Sequence, residues 1–192
     1  MKTSISQLIR KSLLRTISLS LLSSVAITTP LLAVDKTQHA TAHSEASPAA
    51  LVQAVRDATR QFIDVNNATA AGYGPFLGCV TGQDHGAMGI HYVNGTILGL
   101  NQINASQPQA LIYEPTNGKL RLVGVEFIVD ATTWLANNGN APPVLDGQVF
   151  NFVDAPNRFN IPSFFELHVW AWRDNPQGAF VDWNNHVSCE NQ

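Results

Sequence analysis

Along this chain the spacing of apolar side chains changes period, and each period predicts a different element. Leu51, Val55, Ala58, Phe62 and Val65 recur at helical spacing, while Gln53, Arg56, Asp57 and Arg60 stay off that stripe. Ser47-Pro48 suits an N-cap followed by the first helical position, so an amphipathic helix is predicted to start there. It should continue weakly through Asn67 to Ala71 before Gly72-Tyr73-Gly74-Pro75 stops it. Such a stripe is core-packing material, not a cofactor box.

Beyond Pro75 the period shortens. Ile90 to Val93 reads as a short strand behind the glycine-rich segment Gly82 to Gly89. Leu111 to Glu114 and Leu120 to Val129 flank Asn117-Gly118, a strong hairpin signal. With those two residues at the turn, Glu114 should face Arg121 and Gln109 should face Glu126. That register sends Glu114 and Glu126 to opposite faces, so both cannot serve one site. Thr132 to Ser163 is loop-like and rich in proline, with Phe150 and Phe152 able to anchor a short strand. The stretch Phe165 to Trp172 alternates, predicting Glu166, His168, Trp170 and Trp172 on one face and Phe165, Leu167, Val169 and Ala171 on the other. Asp174 to Gly178 turns the chain, and Phe180 to Cys189 runs back. With no internal repeat, the pattern predicts an α+β domain: an N-terminal amphipathic helix packed on an antiparallel sheet or small β-barrel with long loops.

The ends and the charge refine this picture. Lys2, Arg10, Lys11 and Arg15 precede an apolar run from Ile17 to Ala33, which reads as a signal peptide over residues 1–33. Serines and Pro30 interrupt the run, which disfavours a membrane anchor. Residues 34–46, polar and alanine-rich with His39 and His43, read as a flexible leader, and 47–192 as one globular domain. Removing the signal leaves seven Lys and Arg against fourteen Asp and Glu, a net charge near −7. This excludes a nucleic-acid partner and stable membrane insertion after signal removal. The two cysteines, Cys79 and Cys189, are predicted to form a disulfide in a periplasmic or extracellular setting.

Candidate chemistry concentrates on histidines and carboxylates in apolar surroundings. Glu126 interrupts the otherwise apolar run Leu122 to Val129, as a metal ligand, a general base, or a carboxylate hydrogen-bonded at a strand end. His168 lies in an aromatic strand with Glu166 two residues away, placed to orient the imidazole or to bind a metal itself. His91 follows the small-residue segment Gly86 to Gly89. Together His91, Glu126 and His168 would form a two-histidine, one-carboxylate set suited to zinc, iron or copper with open positions. His85, Met88 and His91 form a separate His-x2-Met-x2-His pattern with copper-like donors, although glycine-rich loops carry such residues by chance. His186 reads as a surface residue near the disulfide. There is no Gly-x-Ser-x-Gly elbow and no phosphate-binding glycine loop.

The segments Gly86 to Asn94, Ala110 to Pro115, Leu120 to Phe127 and Glu166 to Trp172 resemble a group of uncharacterised exported bacterial proteins. Asn175-Pro176, Asp182-Trp183-Asn184 and Val187-Ser188-Cys189 extend the resemblance over about residues 50 to 189. It implies an exported single domain in which His91, Glu126 and His168 occupy motif positions, and it has no fixed residue at His85. It implies no particular reaction. Two functions therefore compete: a protein with a buried His/Glu transition-metal site, and a metal-free periplasmic small-ligand binding module whose aromatic pocket is floored by Trp170 and Trp172.

Overall fold

The computed structural model describes residues 48–190, which belong to one compact unit. The segments expected as a signal peptide (1–33) and a leader (34–46), and the expected Ser47 cap, lie outside the described residues.

The first helix, α1 (Pro48–Thr59), begins at the predicted proline and buries Leu51 and Val55. The apolar stripe does not run on as one helix. A 3-10 turn spans Arg60–Ile63, and Asp64 then caps a new helix, α2 (Val65–Ala70), by accepting from the Asn66 amide. Two strands follow, β1 (Gly74–Thr81) and β2 (Ala87–Val93), and then a short helix, α3 (Gly95–Gly99). Asn94 caps α3 and also donates to the Ala71 carbonyl, which ties the end of α2 to β2. Neither β1 nor α3 was marked by the sequence pattern.

The hairpin strands β3 (Ala110–Thr116) and β4 (Lys119–Asp130) meet at Asn117 and Gly118, both at positive φ as a two-residue turn requires. Helix α4 (Ala131–Asn137) follows, capped by Asp130. The proline-rich region carries β5 (Val144–Leu145), β6 (Gln148–Val149) and β7 (Asn151–Val153), and the histidine strand is β8 (Phe164–Val169). The six-stranded sheet runs β1-β2-β3-β4-β8-β7, antiparallel throughout and curled into a half-barrel, with β5 and β6 as a separate pair.

The two faces of the sheet have different fates. One packs Leu111, Tyr113, Val125, Phe127, Leu167 and Val169 against Leu51, Val55 and Phe62 in the main core. The Tyr113 hydroxyl donates to the Phe62 carbonyl at 2.7 Å, and that of Tyr73 donates to the Pro108 carbonyl at 2.8 Å. The other face carries a smaller cluster of Ala87, Ile112, Val123, Trp170 and Val187, over which the C-terminal segment folds. Gly86 allows that closure, since a β-carbon there would lie 2.2 Å from the Asn184 carbonyl oxygen.

Two expectations are corrected here. Glu114 does pair with Arg121, but Glu126 pairs with Ala110 rather than Gln109. Ile112 faces Gly124 while Tyr113 faces Leu122, so Val123 is an extra residue in β4. This bulge inverts the alternation, and Glu114 and Glu126 share a face after all. Glu114 is nonetheless committed elsewhere, to Arg121 and to the Ser188 amide. The second correction concerns Trp170 and Trp172. The strand ends at Val169, and a tight turn from the Ala171 amide to the Val169 carbonyl breaks the period. Trp170 stays with the smaller cluster, while Trp172 turns to the main core and donates to Thr59 Oγ1.

Cys79 and Cys189 form a disulfide across 110 residues, joining β1 to the C-terminal segment. Among the described residues no helix is long and apolar enough to cross a membrane. Loop closure of that length should contribute about 5 kcal/mol. Cys189→Ser is therefore expected to lower the denaturant-derived unfolding free energy by several kcal/mol; a loss below about 1 kcal/mol would contradict the closure argument. Burial raises the Tyr73 phenol to about 12. Its contribution to stability is complete below pH 10, where an unfolded tyrosine ionises, and is lost as the pH rises from there through 12. Phenolate absorbance and the unfolding midpoint should track each other across that window, and Tyr73→Phe should make the midpoint's pH dependence shallower, with the remainder due to Tyr113, whose phenol burial raises further still.

Candidate metal centre

Five ionisable side chains, those of His91, Glu126, Glu166, His168 and Asp182, converge on the side of the sheet away from the main core. Phe76 of β1 faces His91 of β2, His91 faces Ile112 of β3, and Glu126 of β4 pairs directly with His168 of β8. Beside them Ala110 faces Glu126 and Gly124 faces Ile112, so small residues border the group within the ladder. A β-carbon on Gly124 would come 2.9 Å from the Val169 carbonyl and 3.2 Å from the Trp170 ring. That missing side chain lets the Trp170 ring stack on His168, with centroids 6.0 Å apart and planes inclined by 21°.

His91, Glu126 and His168 are all buried, and one potential ligand atom from each lies within 4.8 Å of the other two. His91 Nε2 is 3.3 Å from Glu126 Oε2. The two imidazoles meet edge to face at 5.8 Å. Ligands about 2.1 Å from a tetrahedral ion lie about 3.4 Å apart, so the His91–Glu126 edge already has that length. A second group, Glu166, His168 and Asp182, shares His168 and is equally close-set. His168 Nδ1 lies 3.7 Å from Asp182 Oδ1, too far for a hydrogen bond, and Asn151 Nδ2 holds that same oxygen at 2.9 Å.

The electrostatics of the group follow from its dryness. Burial first, and His168 second, push the His91 imidazole down to about 3, despite an opposing hydrogen bond to the Gly89 backbone. His91 is therefore a neutral ring with a lone pair to offer. Burial, and then the neighbouring Glu166 carboxyl, hold Glu126 well above the ordinary carboxylate range. Burial also pushes Asp182 up, but His168 and the Asn151 amide outweigh it and leave that carboxyl below its usual value.

His168 is the anomaly. The residue is fully buried, and neither ring nitrogen has a hydrogen-bond partner. An unpaired buried polar atom costs about 1–3 kcal/mol, and this ring holds two. Donor chemistry, convergence and orphaned nitrogens together fit a cation held by His91, Glu126 and His168, with Glu166 beside Glu126 and Asp182 beside His168.

A hollow of about 40 Å³ opens next to this group, lined by His91, Glu126, Met88, Val80 and Phe159 among others. Met88 of the copper-like pattern thus lines the same hollow as His91, while His85 stays exposed on the preceding loop and joins neither ligand group. His186 is exposed, and its ring lies 3.2 Å from the Asp174 carbonyl. Neither Trp170 nor Trp172 lines the hollow, so the aromatic floor expected from the sequence is replaced by Phe76, Phe159 and Phe164. Asp182 was missed as a site residue because it lies in a loop, where no periodicity marks direction; only its place in the quoted Asp182-Trp183-Asn184 motif set it apart.

No protein-family model, no curated protein and no solved structure matches this chain.

Because His168 makes no hydrogen bond, His168→Leu in chelator-treated protein should leave stability within about 1 kcal/mol of the parent, or raise it. A loss above about 2 kcal/mol in urea unfolding would show instead that the imidazole is structurally bonded.

Proposed function

We propose that this chain is an exported protein that carries one divalent transition metal, zinc, iron or copper, on His91, Glu126 and His168. Glu166 serves either as a further ligand or as the hydrogen-bond partner that sets Glu126. The observation that carries this reading is His168: a fully buried imidazole with two unpartnered nitrogens, beside a neutral His91 and a buried carboxyl. A cation supplies the missing partner. With one side of the group open to the hollow, a bound ion keeps a position for water or a substrate oxygen, which it would polarise. Export is supported by the basic, then apolar, N-terminal sequence and by the disulfide, which leaves no free cysteine among the described residues.

The rival reading, a metal-free small-ligand module, draws on the same hollow beside Glu126. Tryptophan emission separates the two, since Trp170 stacks on His168. Metal-dependent quenching supports the metal centre, and quenching by organic ligands alone supports the rival.

Elemental analysis of the purified chain after reconstitution with zinc, iron and copper should give about one metal per chain. His168→Ala should lose it, as should His91→Ala. An absence of bound metal under all three conditions would remove the proposal.

A further inference from the structure

The hollow beside the metal centre does not end there. A second hollow of about 320 Å³ adjoins it, and Phe76, Val93, Ile128, Ile161 and Phe164 line both. Leu98 of α3 and Pro162 extend the outer part. Two polar side chains border it, and each makes a hydrogen bond within the fold. Asp130 accepts from the Thr133 amide at the start of α4, and the Ser163 hydroxyl donates to Asp154. No lysine or arginine lines either hollow. The other polar side chains along the path, those of His91 and Glu126, stand at its inner end. Phe76 and Leu77, at the inner hollow, remain 40% and 49% exposed, large apolar side chains left in water until something covers them.

We propose that this path binds a linear aliphatic molecule with one neutral oxygen head, a primary alcohol or aldehyde. The tail occupies the outer apolar hollow, and the oxygen reaches the metal centre. This inference rests on the metal reading for its head group. Glu126, Glu166 and Asp182 together outweigh the charge of one divalent ion, so the centre has no surplus positive charge for an anionic head, and an ammonium head has no lone pair with which to ligate the ion. The shape argues for a primary head with no branch beside the oxygen, because the inner hollow is about an eighth the size of the outer one and admits little more than a head group. The lining argues for aliphatic rather than polar tails, because burying each methylene is favourable and nothing outside the inner end rewards a hydrogen bond.

The test is calorimetric titration of the full chain, zinc-loaded and chelator-treated, with 1-hexanol, 1-octanol, 1-decanol, octanoate and octylamine. Binding of one alcohol per chain is expected, tightening about fourfold per added methylene until the path is full. Val93→Phe blocks the junction of the two hollows and should weaken 1-octanol about tenfold or more while leaving zinc content unchanged. Leu98→Lys, on the rim, is the second variant should Val93→Phe fail to fold, and should act in the same direction. The inference is overturned if no alcohol binds, if both variants bind 1-octanol as the parent does, or if octanoate or octylamine binds more tightly than 1-octanol. Retained zinc without alcohol binding overturns this inference alone. Alcohol binding without any retained metal overturns the metal centre and leaves the tail site standing.

Discussion

Everything in this molecule turns on the pairing of β4 with β8, two strands buried on both faces. In such a pair, alternate side chains on one face build the core, and those on the other must also live away from water. Val125, Phe127, Leu167 and Val169 fill the first role. The second falls to Glu126, Glu166 and His168, which would each prefer solvent. Cross-strand pairing of Glu126 with His168 therefore sets two ionisable groups together in a region where neither water nor a backbone group reaches the imidazole. The core, the closure by the C-terminal segment and the candidate site are consequences of that one arrangement.

Much of this was legible from residue order alone. The α1 start at Pro48, the Asn117-Gly118 turn, the β8 face shared by Glu166 and His168, and the Cys79–Cys189 bond all follow local rules of capping, turn chemistry, alternation and redox setting. The convergence of His91 with Glu126 and His168 could be suspected from residue types, yet not tested, because strand order decides it. What stayed hidden was whatever breaks a period. The extra residue at Val123 inverted the face of Glu126 relative to Glu114. The turn after Val169 separated Trp172 from Trp170. Asp182 reaches His168 from a loop positioned by Trp170, whose indole donates to the Val181 carbonyl and whose amide donates to Ala179.

Burial holds the groups of this site uncharged. His91 is neutral by desolvation, and Glu126, beside Glu166, is kept as a carboxyl whose proton a bound cation must displace. The disulfide and the Gly86 contact keep the C-terminal segment over the smaller cluster, so this dryness is covalently maintained. Glu114, which the bulge brings to the same face, helps by holding the Ser188 amide next to the bonded cysteine.

The bulge has a lineage-level implication. Because Tyr113 faces Leu122 and Ile112 faces Gly124, loss of the codon for Val123 would straighten β4 and leave Glu126 opposite Ala110, whereas a codon gained between Gly124 and Glu126 would slip the acid by one place and swing it into the oily interior. Substitutions in that strand can be graded by size and polarity. Changes of length act by sign instead: a loss at the bulge keeps the acid on its wall, and a gain beyond it reverses the wall.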